Sequence, residues 1–271
     1  MTVEVMGILN VTPDSFSDGG RFGSVEQAVA EALAMLEAGA DIIDVGGEST
    51  RPGAQEISKE EETARVAPVI ERLRARTDKP ISIDTMKPEV AHAALCAGAT
   101  IWNDVNALRA PGALELAASH GCGVVLMHMQ GEPRTMQRNP VYSDVIAEVG
   151  QFLSARIAAA ESAGIASDKI WIDPGIGFGK TLDHNLALMR AVPLLRSVTG
   201  KPVVIGASRK SFIGRIEERA ERPASAAEAR VGGSVAAAIW AAQGGAAMVR
   251  VHDVAETVQA LQVWSALRAA Q

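Results

Sequence analysis

The chain has 271 residues, 48% hydrophobic and 21% charged, with a formal net charge of −6. That composition excludes a disordered chain and can build a large core without disulfide or metal staples. Basic residues never run longer than two, which excludes the clustered Lys/Arg footprint of a nucleic-acid-binding protein but not a small anionic ligand.

Taken in order, short apolar runs alternate with helical patterns. A strand is expected over 3–9, followed by a turn after Val11. Ser24 with Gln27 reads as a capping box for a helix whose apolar face is Val25, Val29, Leu33 and Leu36. That helix ends at Gly39, before a strand over 42–45. Ser58 with Glu61 opens a second helix, and a strand is expected over 81–83. Residues 90–105, VAHAALCAGATIWNDV, repeat the scheme of helix, glycine cap and strand, the strand lying over 100–102. A strand over 123–127 precedes a helix with Val145, Val149, Phe152 and Ile157 at helical spacing. Strands over 170–172, 203–206 and 248–251 follow, with a third capping box at Ser225 and Glu228.

The runs are apolar throughout, as in parallel strands covered by helices. Eight βα units in this length average about 34 residues each, which predicts an α/β protein with a (β/α)8 TIM barrel as a single domain over 1–271. An open doubly wound sheet is the alternative. The longest uncharged stretch, residues 231–249, contains four glycines and is broken by Gly244-Gly245, so no membrane span is expected. Glu4 stands where a secretory leader carries Lys or Arg, and a cytoplasmic protein is expected. Cys96 and Cys122 share no metal or redox spacing and read as two reduced core thiols.

In such a barrel the active site lies at the C-terminal ends of the strands. The residues following each apolar run are Asn10, the stretch from Gly46 to Arg51, Asp84, Asn103-Asp104, His128, Asp173, Ser208-Arg209-Lys210, and Arg250 with His252. Every one of the eight ends offers polar or charged groups, which suits a ligand rich in heteroatoms. Asp84 and Asp173 can each accept a pair of donors, as from an aminopyrimidine edge, and Asn103 can donate and accept at a lactam-like edge. Lys210 is a point charge, and Arg250 can stack on a flat ring. Asn10, Thr50, Arg51 and His252 are candidates for phosphate oxygens. The segment GIGFGKT at 175–181 is no P-loop, because Pro174 stands where a glycine is required. Neither a histidine pair on one strand nor a G-x-S-x-G elbow is present.

At these residues the chain resembles the dihydropteroate synthase family. The matching segments include ILNVTPDSFSDGG at 8–20, DIIDVGGESTRPG at 41–53, ISIDTMKP at 81–88, IDPGIGFGK at 172–180, VVIGASRKSF at 203–212 and VRVHDV at 249–254. The resemblance implies condensation of 6-hydroxymethyl-7,8-dihydropterin pyrophosphate with p-aminobenzoate in folate synthesis. It assigns the pterin edge to Asp84, Asn103, Asp173 and Lys210, and ring stacking to Arg250. Asn10, Thr50 and His252 would handle the pyrophosphate, with Asn10 near a Mg2+ ion. Phe178, Ser208, Thr50, Arg51 and Pro52 would shape the p-aminobenzoate site. Asp14 and Phe16 belong to a loop expected to close over the reaction and to affect turnover more than pterin affinity. A homodimer is implied through the late helices, and residues 233–243, small and apolar nearly all round, want burial on more than one side. A corrinoid methyltransferase using methyltetrahydrofolate shares the barrel but lacks NVTPDSFSDGG and GASRKSF; a non-catalytic pterin-binding paralogue would show damage in the loops after strands 1 and 2 or at Lys210.

Overall fold

The computed structural model describes residues 3–11, 20–48, 56–132 and 135–269, and of residues 20–24 the backbone alone. Asp14, Phe16, Thr50, Arg51 and Pro52 lie outside the described residues. Eight strands form one parallel sheet: β1 (Glu4–Asn10), β2 (Ile42–Gly46), β3 (Ile81–Asp84), β4 (Ile101–Asp104), β5 (Gly123–Met127), β6 (Ile170–Asp173), β7 (Val204–Ile205) and β8 (Met248–Val251). Their order is β6-β5-β4-β3-β2-β1-β8-β7. A parallel bridge between Ile172 and Val203 joins the two ends and closes the TIM barrel.

The helices between strands are α1 (Gly20–Glu37), α2 (Lys59–Arg74), α3 (Pro88–Cys96), α4 (Ala113–His120), α5 (Val145–Ser162), α6 (Leu182–Arg190), α7 (Val192–Thr199), α8 (Ser211–Arg219), α9 (Val231–Gln243) and α10 (Val254–Ala269). Between β6 and β7 the chain forms two helices divided at Ala191, because Pro193 cannot continue the helical hydrogen-bond ladder and stands in the first turn of the new helix. Among the described residues no helix is long and apolar enough to cross a membrane.

The glycine caps work as expected. Gly39 and Gly98 have φ of 103° and 114°, a left-handed backbone that ends the helix and turns the chain into the next strand. The Ser58 hydroxyl accepts from Glu61 N–H at 3.1 Å and caps α2. The other two expected caps are not formed. The backbone of α1 is already helical at Gly20, so Ser24 lies inside it. Ser225 N–H bonds to the Glu217 carboxylate at 2.7 Å, and α9 starts at Val231 after a 3-10 turn over Ala227–Arg230.

Strand side chains alternate between the helices and the barrel interior. Leu9, Ile43, Ile83, Trp102, Leu126, Ile172 and Val249 join the large core between sheet and helices. The other parity points inward. Its lower positions, Met6, Ile42, Ile101, Val125, Val204 and Met248, pack as a separate apolar plug with Trp171. Above that plug the register pairs Asp44 with Ile8 and Ser82, Gly46 with Asp84, and Asp84 with Asn103. The same parity is therefore apolar at the base and polar towards the strands' C-terminal ends.

Trp102 is fully buried, and its indole N–H donates to the Thr85 carbonyl at 2.8 Å. Trp102→Ala removes a large core side chain and leaves that carbonyl unpaired. A loss of about 3–5 kcal/mol is expected in urea unfolding.

Candidate functional site

A pocket of about 550 Å³ opens at the C-terminal ends of the strands. Asn10, Asp84, Asn103, Asp173, Phe178, Ser208, Lys210, Arg250 and His252, nine of the sequence-predicted residues, all line it. They come from β1, β3, β4, β6 and β8 and from the loops after β6, β7 and β8, so only barrel closure brings them together.

At the pocket's centre lies an ion cluster. Arg250 Nε is 2.5 Å from Asp44 Oδ2, and its Nη2 is 2.6 Å from Asp84 Oδ2. Asn103 Nδ2 donates to the same Asp44 oxygen at 3.0 Å. One cation thus serves two carboxylates. Burial pushes the Asp84 carboxyl up to about 7, against the pull of Arg250 and reinforced by Asp44. Arg250 is held above its ordinary range by the two carboxylates. Holding it by two edge nitrogens fixes the plane of its guanidinium.

Across the pocket, Asp173 Oδ1 accepts Gly175 N–H at 2.7 Å, and burial raises the carboxyl above its ordinary value. Asp173 Oδ2 faces Gly206: a Cβ there would lie 3.6 Å from that oxygen and 3.9 Å from Arg250 Cβ. The Lys210 ammonium sits 4.0 Å from the centroid of the Phe178 ring, a cation–π contact. Phe178 itself packs with Val105, Met127, Met129 and Met136 into an apolar wall. Ser208 Oγ accepts His252 N–H at 3.2 Å and lies 3.1 Å from His252 Nδ1, tying the end of β8 to the loop after β7.

The loops at the mouth are anchored by ion pairs. Lys87 Nζ reaches Glu48 at 3.0 Å, the buried Glu62 at 2.7 Å and the Ile57 carbonyl at 2.9 Å. Arg209 has φ of 57°, uncommon for a residue with a side chain. It is held there by a two-point pair with Asp253, at 3.1 and 2.5 Å, and by its N–H bond to Ser234 Oγ. Arg209 lines the pocket, and through these bonds it is also what shapes the loop after β7.

Two sequence expectations change. Asp104 has the outward parity and caps the loop after β4, accepting Asn106 and Leu108 N–H at 2.7 Å each. His128 lies behind the pocket wall, packed edge-on to Phe152 with ring centroids 4.9 Å apart. Asp44 was missed because it stands inside an apolar run rather than after it. Its signal is an acidic residue on the parity that faces the barrel interior.

Lys180 was also missed. It is almost fully buried, with Nζ 3.0 Å from His128 Nδ1 and donating to the Phe178 carbonyl at 2.9 Å. Burial lowers its ammonium to about 7 and, together with the nearby Lys180 charge, lowers His128 to about 3. Lys180 props up the loop that carries Phe178.

Residues 6–252 match the family model described as pterin binding enzyme. The dihydropteroate synthase of Escherichia coli K12 is 51% identical over 98% of this chain and 92% of its own length. Among solved structures, the Xanthomonas albilineans dihydropteroate synthase with 4-aminobenzoic acid superposes with a TM-score of 0.91 at 54% identity, over 99% of this chain and 94% of that one. The same organism's enzyme in complex with 7,8-dihydropteroate gives a TM-score of 0.88 at 51% identity, with the same coverage.

The buried amine has a pH signature. Between about 7 and the ordinary value of 10.5, the unfolded chain holds a proton on Lys180 that the folded chain does not. Stability from this group therefore rises with pH across that window, by up to about 1.4 kcal/mol per pH unit. Lys180→Met abolishes that contribution, so urea unfolding from pH 7 to 10 is expected to show wild type gaining stability relative to the variant.

Proposed function

The chain belongs to the dihydropteroate synthase family of pterin-binding enzymes, and we propose that it condenses 6-hydroxymethyl-7,8-dihydropterin pyrophosphate with p-aminobenzoate, yielding 7,8-dihydropteroate and pyrophosphate for folate synthesis. The observation that carries this reading is the gathering of Asp84, Asn103, Asp173, Lys210 and Arg250 in one pocket above an apolar plug.

Those residues match a pterin. Asp84 and Asp173 are acceptors for its amino and ring N–H donors, and Asn103 meets the lactam edge. The oriented guanidinium of Arg250 stacks on the ring. Phe178 and Ser208, with Thr50, Arg51 and Pro52 by resemblance, shape the p-aminobenzoate site. Asn10 and His252 face the pyrophosphate, to which resemblance adds Thr50. Asp14 and Phe16 enter on resemblance alone.

The chemistry needs no protein nucleophile. The amine of p-aminobenzoate attacks the pterin methylene carbon and forms the C–N bond. The C–O bond to pyrophosphate breaks, pyrophosphate leaves with the electron pair, and the amine gives up a proton. We propose a dissociative displacement. The protein's part is to orient both substrates, exclude water and stabilise charge on the leaving group. Asn10 suits Mg2+ as a single neutral oxygen donor, because Mg2+ keeps waters and takes substrate phosphate oxygens as ligands. When bound, the ion neutralises pyrophosphate charge.

The assay is release of pyrophosphate with formation of dihydropteroate when the protein is mixed with both substrates and Mg2+. Pterin binding without turnover would instead favour a non-catalytic paralogue. Asp84→Asn removes a charge and turns an acceptor towards a donor. Charge-assisted bonds are worth about 1.5–3 kcal/mol each, so pterin affinity by calorimetry is expected to fall about tenfold or more. Unchanged affinity would leave Asp84 as a partner of Arg250 alone.

We also propose a cytoplasmic homodimer. The free thiols Cys96 and Cys122 suit a reducing compartment. The outward stripe of α9 is Gly232, Ala236 and Trp240, and the adjoining α10 exposes Val263 and Leu267. Such apolar surface favours a second copy. Sedimentation at micromolar concentration is expected to give twice 28.3 kDa, and Leu267→Glu with Val263→Glu the monomer.

A further inference from the structure

At the opposite end of the barrel from the pocket, three metal-ligating side chains converge on two neighbouring helices. His92 and Cys96 are four residues apart on α3 and so share one face, one turn apart. His120 is the last residue of α4. His92 Nδ1 lies 2.9 Å from His120 Nε2, and the two rings meet edge-on with centroids 5.1 Å apart. Cys96 Sγ lies 4.0 and 3.9 Å from the two ring nitrogens of His92. One donor atom from each residue falls within 4.8 Å of the others, and all three residues are exposed. Cys96 was expected in the core; its place near the end of α3 instead turns the thiol to solvent.

We propose that His92, Cys96 and His120 form a surface site for a borderline-soft divalent cation, Zn2+ above all. The donor set is two imidazoles and one thiolate, which zinc prefers and Mg2+ or Ca2+ do not. With Zn–N of about 2.0–2.1 Å and Zn–S of about 2.3 Å, tetrahedral ligands stand roughly 3.4 Å (N to N) and 3.6 Å (N to S) apart. With His92 Nδ1 as the ligand atom, its 2.9 Å to His120 Nε2 and 4.0 Å to Cys96 Sγ lie within about half an ångström of those spacings, and the three donor atoms all fall within 4.8 Å, a spread that rotation of exposed side chains can close. A histidine pair sharing a hydrogen bond accounts for two of the residues but not for the thiol beside them. Three protein ligands leave the fourth position to water, so the bound ion exchanges with solvent. Binding clamps α3 to α4 at the base of the barrel and shields the one exposed thiol among the described residues from alkylation and oxidation. It involves no group of the catalytic pocket and does not depend on the reaction assigned to that pocket.

The test uses the full chain stripped of metal. One equivalent of Co2+, as the spectroscopic stand-in, is expected to give tetrahedral d–d bands with a thiolate-to-cobalt charge-transfer band, both displaced by Zn2+. Cys96→Ser is expected to lose the charge-transfer band. His92→Ala and His120→Ala are each expected to weaken Zn2+ binding at least tenfold in competition with a chromogenic chelator. Saturating Zn2+ should slow alkylation of Cys96 at least tenfold, the buried Cys122 serving as internal control. Turnover should be the same in all three variants. No charge-transfer band, an alkylation rate indifferent to Zn2+, or equal zinc uptake by the triple variant H92A/C96S/H120A would overturn the proposal.

Discussion

A single guanidinium between two carboxylates organises the interior of this barrel. Arg250, from β8, bonds Asp44 on β2 and Asp84 on β3, and Asn103 on β4 joins through Asp44. Ions taken from water carry a large desolvation penalty, which only close partners and hydrogen bonds offset. Here the offset is incomplete by one charge, and burial drives Asp84 up to about 7. Asp44 Oδ1 has no hydrogen-bond partner among the described residues. A cluster left short of donors is disposed to take them from a ligand, and a pterin edge supplies N–H groups. Incomplete polar satisfaction and binding capacity are thus one property seen from two sides.

The apolar plug makes that cluster effective. Met6, Ile42, Ile101, Val125, Val204 and Met248 fill the lower barrel with side chains that neither hydrogen-bond nor admit water. The polar groups above them work in a medium of low dielectric, where charge-assisted bonds are strong and unpaired ones costly. Gly206 preserves room beside Asp173 and Arg250.

Around this rigid base, each anchored loop is pinned by a charged side chain from outside the pocket floor. Lys87 ties Glu48 to Glu62, Arg209 is clamped by Asp253, and buried Lys180 carries the Phe178 loop. The strand ends thus form the fixed floor of the pocket, and the loops after β6 and β7 form its walls. The His92–Cys96–His120 cluster lies at the other end, among helix C-termini that the reaction does not use.

Much of this was legible before any folding was considered. Apolar run lengths and glycine caps located all eight strands within a residue or two, because those signals are local: a helix that ends in left-handed glycine and a run that must be buried. Reading the residues at or just beyond the end of each run picked out Asp84, Asn103, Asp173, Ser208, Lys210, Arg250 and His252, all of which line the pocket, since a barrel places its polar groups there. What only the tertiary structure decided was which parity faces inward. That choice depends on how eight strands close on one another, not on any one strand. It brought Asp44 into the site from within an apolar run, turned Asp104 into a loop cap and set His128 behind the wall. Tertiary structure likewise decided that Ser225 would serve Glu217 rather than cap a helix, and that His92 and Cys96 would meet His120, 28 positions on from His92, at the surface. Sequence carries propensity and pattern; distance between side chains far apart along the chain exists only once the barrel has closed.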